Sequence, residues 1–290
     1  MFTRSTPRLL ATLIIASVWP LIWATAETSL PLDTTVVRVA VVNTPQFSGL
    51  MDALVADFQS ATGQKVAVYS GNDVYERALA GEADLVISHY GKSGVEKFVL
   101  GGFGSWPKTV FANQAVIAGP KSDPAGIRGL ASAAEAMRRI AKAKAPFVAN
   151  ALPGVNYMTE IIWEQAGRPE KAGWWIETGV AKGKAVELAE QKQAYIIWGA
   201  LPFLRYKQKH SSDFEILVHS DPLLQRVMVS IVARPEKLPR TNVAGAEAFQ
   251  RYLLSPRAQA KISAFRSMGF GQQLWWPAGR DNSNEGGRDD

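Results

Sequence analysis

Asn43 and Thr44 follow the apolar run Val36 to Val42, Ser70 follows Val66 to Tyr69, and His89 follows Leu85 to Ser88. An amide, two hydroxyls and an imidazole therefore sit where β-rich runs end. A fourth polar group, Ser48, stands just before an amphipathic run in which Leu50, Leu54 and Phe58 share one helical face. Such groups donate and accept hydrogen bonds, and a helix start beside them adds unpaired N–H donors. The chemistry this suits is the holding of a small anion or polar solute. Structural roles compete with this reading: Ser70 as a helix cap, His89 as a buried, satisfied histidine.

The elements that must position these groups are three strand–turn–helix units in series. Val36–Val42, Val66–Tyr69 and Leu85–Ser88 are expected as parallel strands, with helices over 50–62 and 74–80 between them. Thr62-Gly63 is a helix stop. Parallel strands of one sheet end on one edge, so Asn43-Thr44, Ser70-Gly71 and Ser88-His89-Tyr90 converge there, and open α/β sheets take their ligands at that edge.

Composition narrows the chemistry. The 290 residues include no cysteine and three histidines, His89, His210 and His219, without metal-ligand spacing. No metal and no cofactor is expected. The formal charge of +6 is modest and its basic residues are interspersed with acidic ones, which argues against nucleic acid as a partner. No G-x-S-x-G, H-E-x-x-H or G-x-x-x-x-G-K motif is present. Ser88 and His89 are adjacent on a strand and point to opposite faces, so with Asp84 they make no hydrolytic triad. The chain is expected to bind rather than catalyse.

At the N-terminus, Arg4 and Arg8 precede the apolar run Leu9 to Trp23 and then Ala24-Thr25-Ala26. This pattern predicts a secretory signal peptide over residues 1–26, cleaved after Ala26, and a periplasmic location. An uncleaved anchor is the alternative. Removal of the two arginines leaves about +4 from the formal +6.

Further along, 109–120 is expected as a long strand crossing between halves, 130–143 as a helix and 146–148 as a short strand. Helices follow over 157–166 and 184–191, and strands over 194–198, 214–218 and 227–232. Two more helices are expected over 244–254 and 256–268, and the polar residues 277–290 read as a disordered tail.

Several blocks carry a family resemblance at once: SGLMDALVADFQSATGQKVAV (48–68), GEADLVISH (81–89), VEKFV (95–99), VIAGPKSDPAGIRG (116–129), WWIETG (174–179) and SPRAQAKISAFRSMGF (255–270). Together they resemble the extracytoplasmic solute-binding proteins of tungstate-type ABC importers, in the type II periplasmic-binding-protein superfamily. The resemblance spans about Val39 to Trp276. It implies an α/β, two-lobed type II periplasmic binding protein fold, each lobe a mostly parallel sheet flanked by helices, with the ligand cleft between lobes. Lobe one would comprise 36–112 plus 235–276, and lobe two 113–234.

The resemblance also implies ligand loops. The family's Thr/Ser-rich run before Gln-Asp-Ser-Gly corresponds to Asn43-Thr44-Pro45-Gln46-Phe47-Ser48-Gly49, its Gly-Thr-Gly to Tyr69-Ser70-Gly71, and its histidine after the third strand to His89. In the second lobe, Ser-Arg-Gly-Asp-Asp-Ser-Gly-Thr is replaced by Ala149-Asn150-Ala151-Leu152-Pro153-Gly154-Val155, and Thr-Asp-Arg-Gly by Trp198-Gly199-Ala200-Leu201. The family's oxyanion-facing arginine is thus missing. Losing a charge-assisted hydrogen bond of about 1.5–3 kcal/mol lowers affinity about ten- to a hundredfold. The ligand contacts expected are Asn43, Thr44, Ser48, Ser70, His89, Asn150, Asn156 and Trp198, with Leu152 and Phe203 lining a less polar pocket. The expected function is a monomeric solute-binding protein that closes two lobes around a small ligand, less charged than tungstate, and delivers it to a membrane ABC permease. The alternative is a periplasmic sensor or accessory interaction protein that kept the fold without transport. An importer that still holds its oxyanion through backbone N–H groups alone is a third reading.

Overall fold

A computed structural model describes Met1 and residues 35–267, 271 and 273–280. The expected signal peptide, beyond Met1, and residues 281–290 of the expected tail lie outside the described residues. Val36–Val42 forms β1, buried on both faces from Val39 onward. The chain coils at once into a short helix, α1 (Asn43–Phe47). Gly49, at φ 82°, then turns it into α2 (Leu50–Thr62). A side chain at that left-handed φ would be strained, which is why glycine stands there. Gly63, also left-handed, ends α2 and sends the chain into β2 (Lys65–Gly71). α3 (Val74–Leu79), β3 (Leu85–His89) and α4 (Val95–Leu100) follow. β1 lies between β2 and β3 and parallel to both.

β4 (Lys108–Gly119) has 12 residues, about 40 Å of extended chain. After it come α5 (Ala133–Lys142), β5 (Phe147–Val148), α6 (Pro153–Gln165), β6 (Trp175–Ile176), α7 (Gly183–Lys192), β7 (Tyr195–Gly199), α8 (Ala200–His210) and β8 (Glu215–Val218). A 3-10 turn, Pro222–Leu224, leads into β9 (Gln225–Val232), then α9 (Val243–Leu254), α10 (Pro256–Ala264) and β10 (Trp276–Arg280). The strand order is β2-β1-β3-β9-β4-β7-β5-β6. From Lys108 to Gln114, β4 pairs antiparallel with β9, and β9 pairs antiparallel with β3. From Ala115 to Gly119, β4 pairs antiparallel with β7 and β8. β5 joins β6 and β7 in parallel. The first sheet holds β1, β2, β3, β9 and β10; the second holds β5, β6, β7 and β8; β4 serves both.

Four differences from the sequence reading have physical causes. The sheets are mixed rather than mostly parallel, because β8, β9 and β10 each return antiparallel onto β4. β9, expected with the second lobe, pairs with β3 and so extends the first sheet. α6 begins at Pro153, four residues before the expected Tyr157: proline at the first helical turn has its φ already set and lacks an N–H that would go unpaired there. The tail is not disordered from 277 through 280, because Trp276–Arg280 pairs with Thr109–Ala112. Trp275 anchors it, fully buried and edge-on to Phe111 at 5.3 Å between ring centroids. Helix α8 was not expected at all, and α10 ends at Ala264, short of Met268.

The far edge of the first sheet is held by one carboxylate. Asp84 is fully buried. It accepts Arg38 Nε at 3.1 Å, Arg38 Nη2 at 2.6 Å, the Arg38 N–H at 2.7 Å and the Asn242 N–H at 2.9 Å. Asn242 in turn caps α9 through Gly245 N–H and donates to Val36 O. One charge thereby joins β1, the start of β3 and the start of α9. Removing one partner of a buried pair leaves the other uncompensated. Asp84→Asn is expected to lower stability by about 3–5 kcal/mol in urea denaturation, with a further loss of cooperativity at the α9 start visible in amide exchange.

Candidate ligand-binding site

The carboxyl ends of β1, β2 and β3 carry the polar groups expected there. Asn43 is the first residue of α1, and its Oδ1 accepts the Ser70 hydroxyl at 2.9 Å. Ser70 stands at the end of β2, opposite Val41 of β1. That pairing sets the orientation of both side chains in advance. Thr44, partly exposed, is next on α1. His89 ends β3, with Nε2 3.4 Å from Oδ1 of Asn113 on β4. Burial first, then the positive charge of Arg226, pull the His89 pKa down to about 3. The ring is neutral at physiological pH and offers one donor and one acceptor.

Ser48 does not join this group. It is 2% exposed. Its hydroxyl donates to Pro45 O at 2.8 Å and accepts the Leu50 N–H at 3.2 Å and the Trp275 indole N–H at 3.1 Å. One donor and two acceptors exhaust a hydroxyl, so no capacity is left for a ligand. Ser48 joins α2 to the anchor of the C-terminal strand.

On the second side, Asn150 follows β5 and is 1% exposed. Its Oδ1 accepts the Leu152 N–H at 3.2 Å and the Lys182 N–H at 3.0 Å. Its Nδ2 is buried with no hydrogen-bond partner among the described residues. Asn156 sits partly exposed in the first turns of α6, and Leu152 is the residue before that helix. Trp198, on β7, is 8% exposed and borders a groove of about 390 Å³ with Pro202, Arg205, Tyr206 and Lys209. Neither Asn150 nor His89 lines that groove. Phe203 is fully buried in the core, where the sequence reading expected it to line a pocket. Arg205 lies over the exposed Phe47 ring, 5.3 Å from its centroid, and so joins α8 to α1.

The sequence reading missed Arg226. It lies in β9, paired with Asn113, and its guanidinium packs so closely on Gly154 that a Cβ there would stand 2.6 Å from Nη2. Gly154 is the second residue of α6. Arg226 therefore reaches from the first sheet to the helix that begins beside Asn150. Burial lowers its pKa to about 10. A lone arginine in a β-rich run with no acidic neighbour was the available signal.

Two outcomes follow from these assignments. Ser48→Ala leaves the Leu50 and Trp275 N–H groups without an acceptor, and is expected to lower stability by about 1–3 kcal/mol while ligand affinity, measured by calorimetry, stays unchanged. The second concerns pH. The folded pKa of His89 lies below its ordinary value, so the unfolded chain takes up the proton more readily. The stability held above pH 6.5 is lost as pH falls from about 6.5 towards 3. In His89→Gln this part of the loss should disappear, a difference of about 1 kcal/mol per pH unit below 6.5 in urea denaturation.

Comparison with known proteins agrees with this architecture. Residues 39–271 match the family described as bacterial extracellular solute-binding protein. A Haloferax volcanii protein designated an ABC transporter anion-binding protein is 31% identical over 236 residues, covering 79% of this chain and 68% of that one. The tungstate-binding protein TupA of Peptoclostridium acidaminophilum is 28% identical over 235 residues, with 79% and 81% covered. The solved structure of the tungstate-binding protein TupA from Desulfovibrio alaskensis G20 superposes with a TM-score of 0.74 at 26% identity, covering 84% of this chain and 99% of that one. The tungstate ABC transporter structure from Geobacter sulfurreducens gives a TM-score of 0.66 at 27% identity, with 79% and 98% covered. These relatives are binding proteins, not enzymes. With the family match spanning most of the chain, on an α/β fold of two sheets joined by β4, this chain belongs to the bacterial extracellular solute-binding proteins.

Proposed function

We propose that the chain captures a small solute between its two sheets and presents it to the membrane permease of an ABC importer. The observation that supports this most is the use made of the strand ends. Asn43, Ser70 and His89 stand at the carboxyl edge of β1, β2 and β3 and hydrogen-bond to one another or to Asn113, and among the described residues none of their side chains caps a helix or bonds to backbone. Side chains ordered at that edge without a structural duty are what a ligand site in this fold needs. Thr44 on the first side, and Asn150 and Asn156 beside α6 on the second, are proposed to complete the site; Trp198 borders a separate groove and is proposed only as an outer contact. The halves proposed are residues 36–112 with 235–276, and 113–234 less β9. Hinge closure across β4 would bring them together, with the Phe47–Arg205 contact as one bond of the closed form. The mature chain is proposed to act outside the cytoplasmic membrane after removal of residues 1–26.

A thermal-shift screen with tungstate, molybdate, sulfate, phosphate and small neutral solutes tests this directly. At a hundredfold excess over Kd, a true ligand adds about 2.7 kcal/mol of stability and a clear rise in Tm. Ser70→Ala should weaken that ligand about three- to tenfold in calorimetry, the worth of one ordinary hydrogen bond, with Tm little changed. If no solute raises Tm, transport falls, and the sensor or accessory reading takes its place.

A further inference from the structure

Arg226 is a cation without a counter-charge. Among the described residues its guanidinium makes no ion pair and no hydrogen bond, whereas Arg38, Arg77, Arg128, Arg138, Arg139, Arg168, Arg251 and Arg257 sit against carboxylates. Arg226 is half-buried. Desolvating a guanidinium without a partner is costly, and proteins avoid it unless something else supplies the negative charge.

Its surroundings make the imbalance larger. The guanidinium packs on Gly154, in the first turn of the 13-residue helix α6. That end of a helix carries a partial positive charge, although in α6 Pro153 has no N–H and those of Val155 and Asn156 already donate to Leu152 O. The titratable group it acts on is His89, whose ring is kept neutral. Positive ends therefore face one another across the gap between β9 and α6 with no acidic side chain between them among the described residues.

Asn150 supplies an independent observation. Its Oδ1 accepts two backbone N–H groups, from Leu152 and Lys182. A flipped amide would set its NH2 against those two donors, so the orientation is determined. Nδ2 is then a buried donor with no acceptor, at the residue three before α6. A donor with no acceptor, a guanidinium with no carboxylate and a helix start all lack the same thing, an oxygen-rich negative charge.

We propose that Arg226 is the charge-reading residue of the ligand site, and that it holds a compact oxyanion against the first turn of α6 and the Asn150 amide. The proposal rests on the solute-binding reading above and names its ligand class. The cation comes from a crossing strand of the first sheet rather than from the loop before α6. An anion bound there is gripped by β9 on one side and α6 on the other, so binding and closure of the two halves are one event. The arginine absent from the position of Asn150 is not replaced by a neutral pocket; its charge enters from the opposite wall.

Calorimetric titration of the full chain with sodium tungstate, molybdate and sulfate tests this. At least one of these anions should bind, and Arg226→Met should lower its affinity about ten- to a hundredfold or more. Arg226→Lys keeps the charge but not the planar fork, and should fall between the two. Gly154→Ala is a second route that leaves the arginine in place. The added Cβ meets only the far end of a flexible side chain, so Tm should hold while the displaced guanidinium loses the anion. Unchanged anion affinity in Arg226→Met, or a wild-type chain that binds only uncharged solutes, would overturn the role of Arg226 and leave the solute-binding function standing. A chain that binds no solute of either kind overturns both.

Discussion

β4 is a single strand hydrogen-bonded into two sheets, and the placing of the proposed ligand groups depends on that constraint. Its first residues pair with β9 and β10, its last with β7 and β8. The ladder on each side fixes the register of everything attached to it. Asn113 lies near the changeover, opposite Arg226 and in reach of His89. A motion that turns one sheet against the other must bend β4 close to this point. The proposed ligand groups Asn43, Ser70 and His89 thus stand on the strands joined to this part of β4, with Arg226 opposite Asn113.

The two largest electrostatic features of the chain are handled in opposite ways. Asp84 is buried and surrounded by donors, two from one guanidinium and two from backbone N–H groups. Its charge is fully compensated, and it joins elements that are distant in sequence. Arg226 is half-buried without any such partner, next to a helix start that repels it. A fold stable enough to bury one charge with care has room to hold another uncompensated. Uncompensated groups of this kind gather at sites of function more often than elsewhere, because the missing partner arrives with the ligand.

Neutral groups follow the same division. Ser48 and Ser70 look alike in sequence, each a serine in a polar turn near a glycine. Ser48 is consumed by Pro45, Leu50 and Trp275. Ser70 bonds only the side chain of Asn43, at the open edge of the sheet. The difference comes from Trp275, which arrives from the other end of the chain. No local pattern around residue 48 announces it.

The sequence by itself determined what short-range physics controls. β-branched runs became β1 and β3, left-handed glycines ended helices at Gly49 and Gly63, and polar residues followed the strands at Asn43, Ser70 and His89. Each of these needs only a few neighbouring residues. The tertiary structure alone decided the antiparallel return of β9 and β10 onto β4, the burial of Ser48 and Phe203, and the reach of Arg226 to Gly154. Those depend on contacts between residues more than seventy positions apart, whose pairing is set by which surfaces exclude water together. The sequence showed an arginine missing from one loop; only the fold brings Arg226 against the helix that follows that loop.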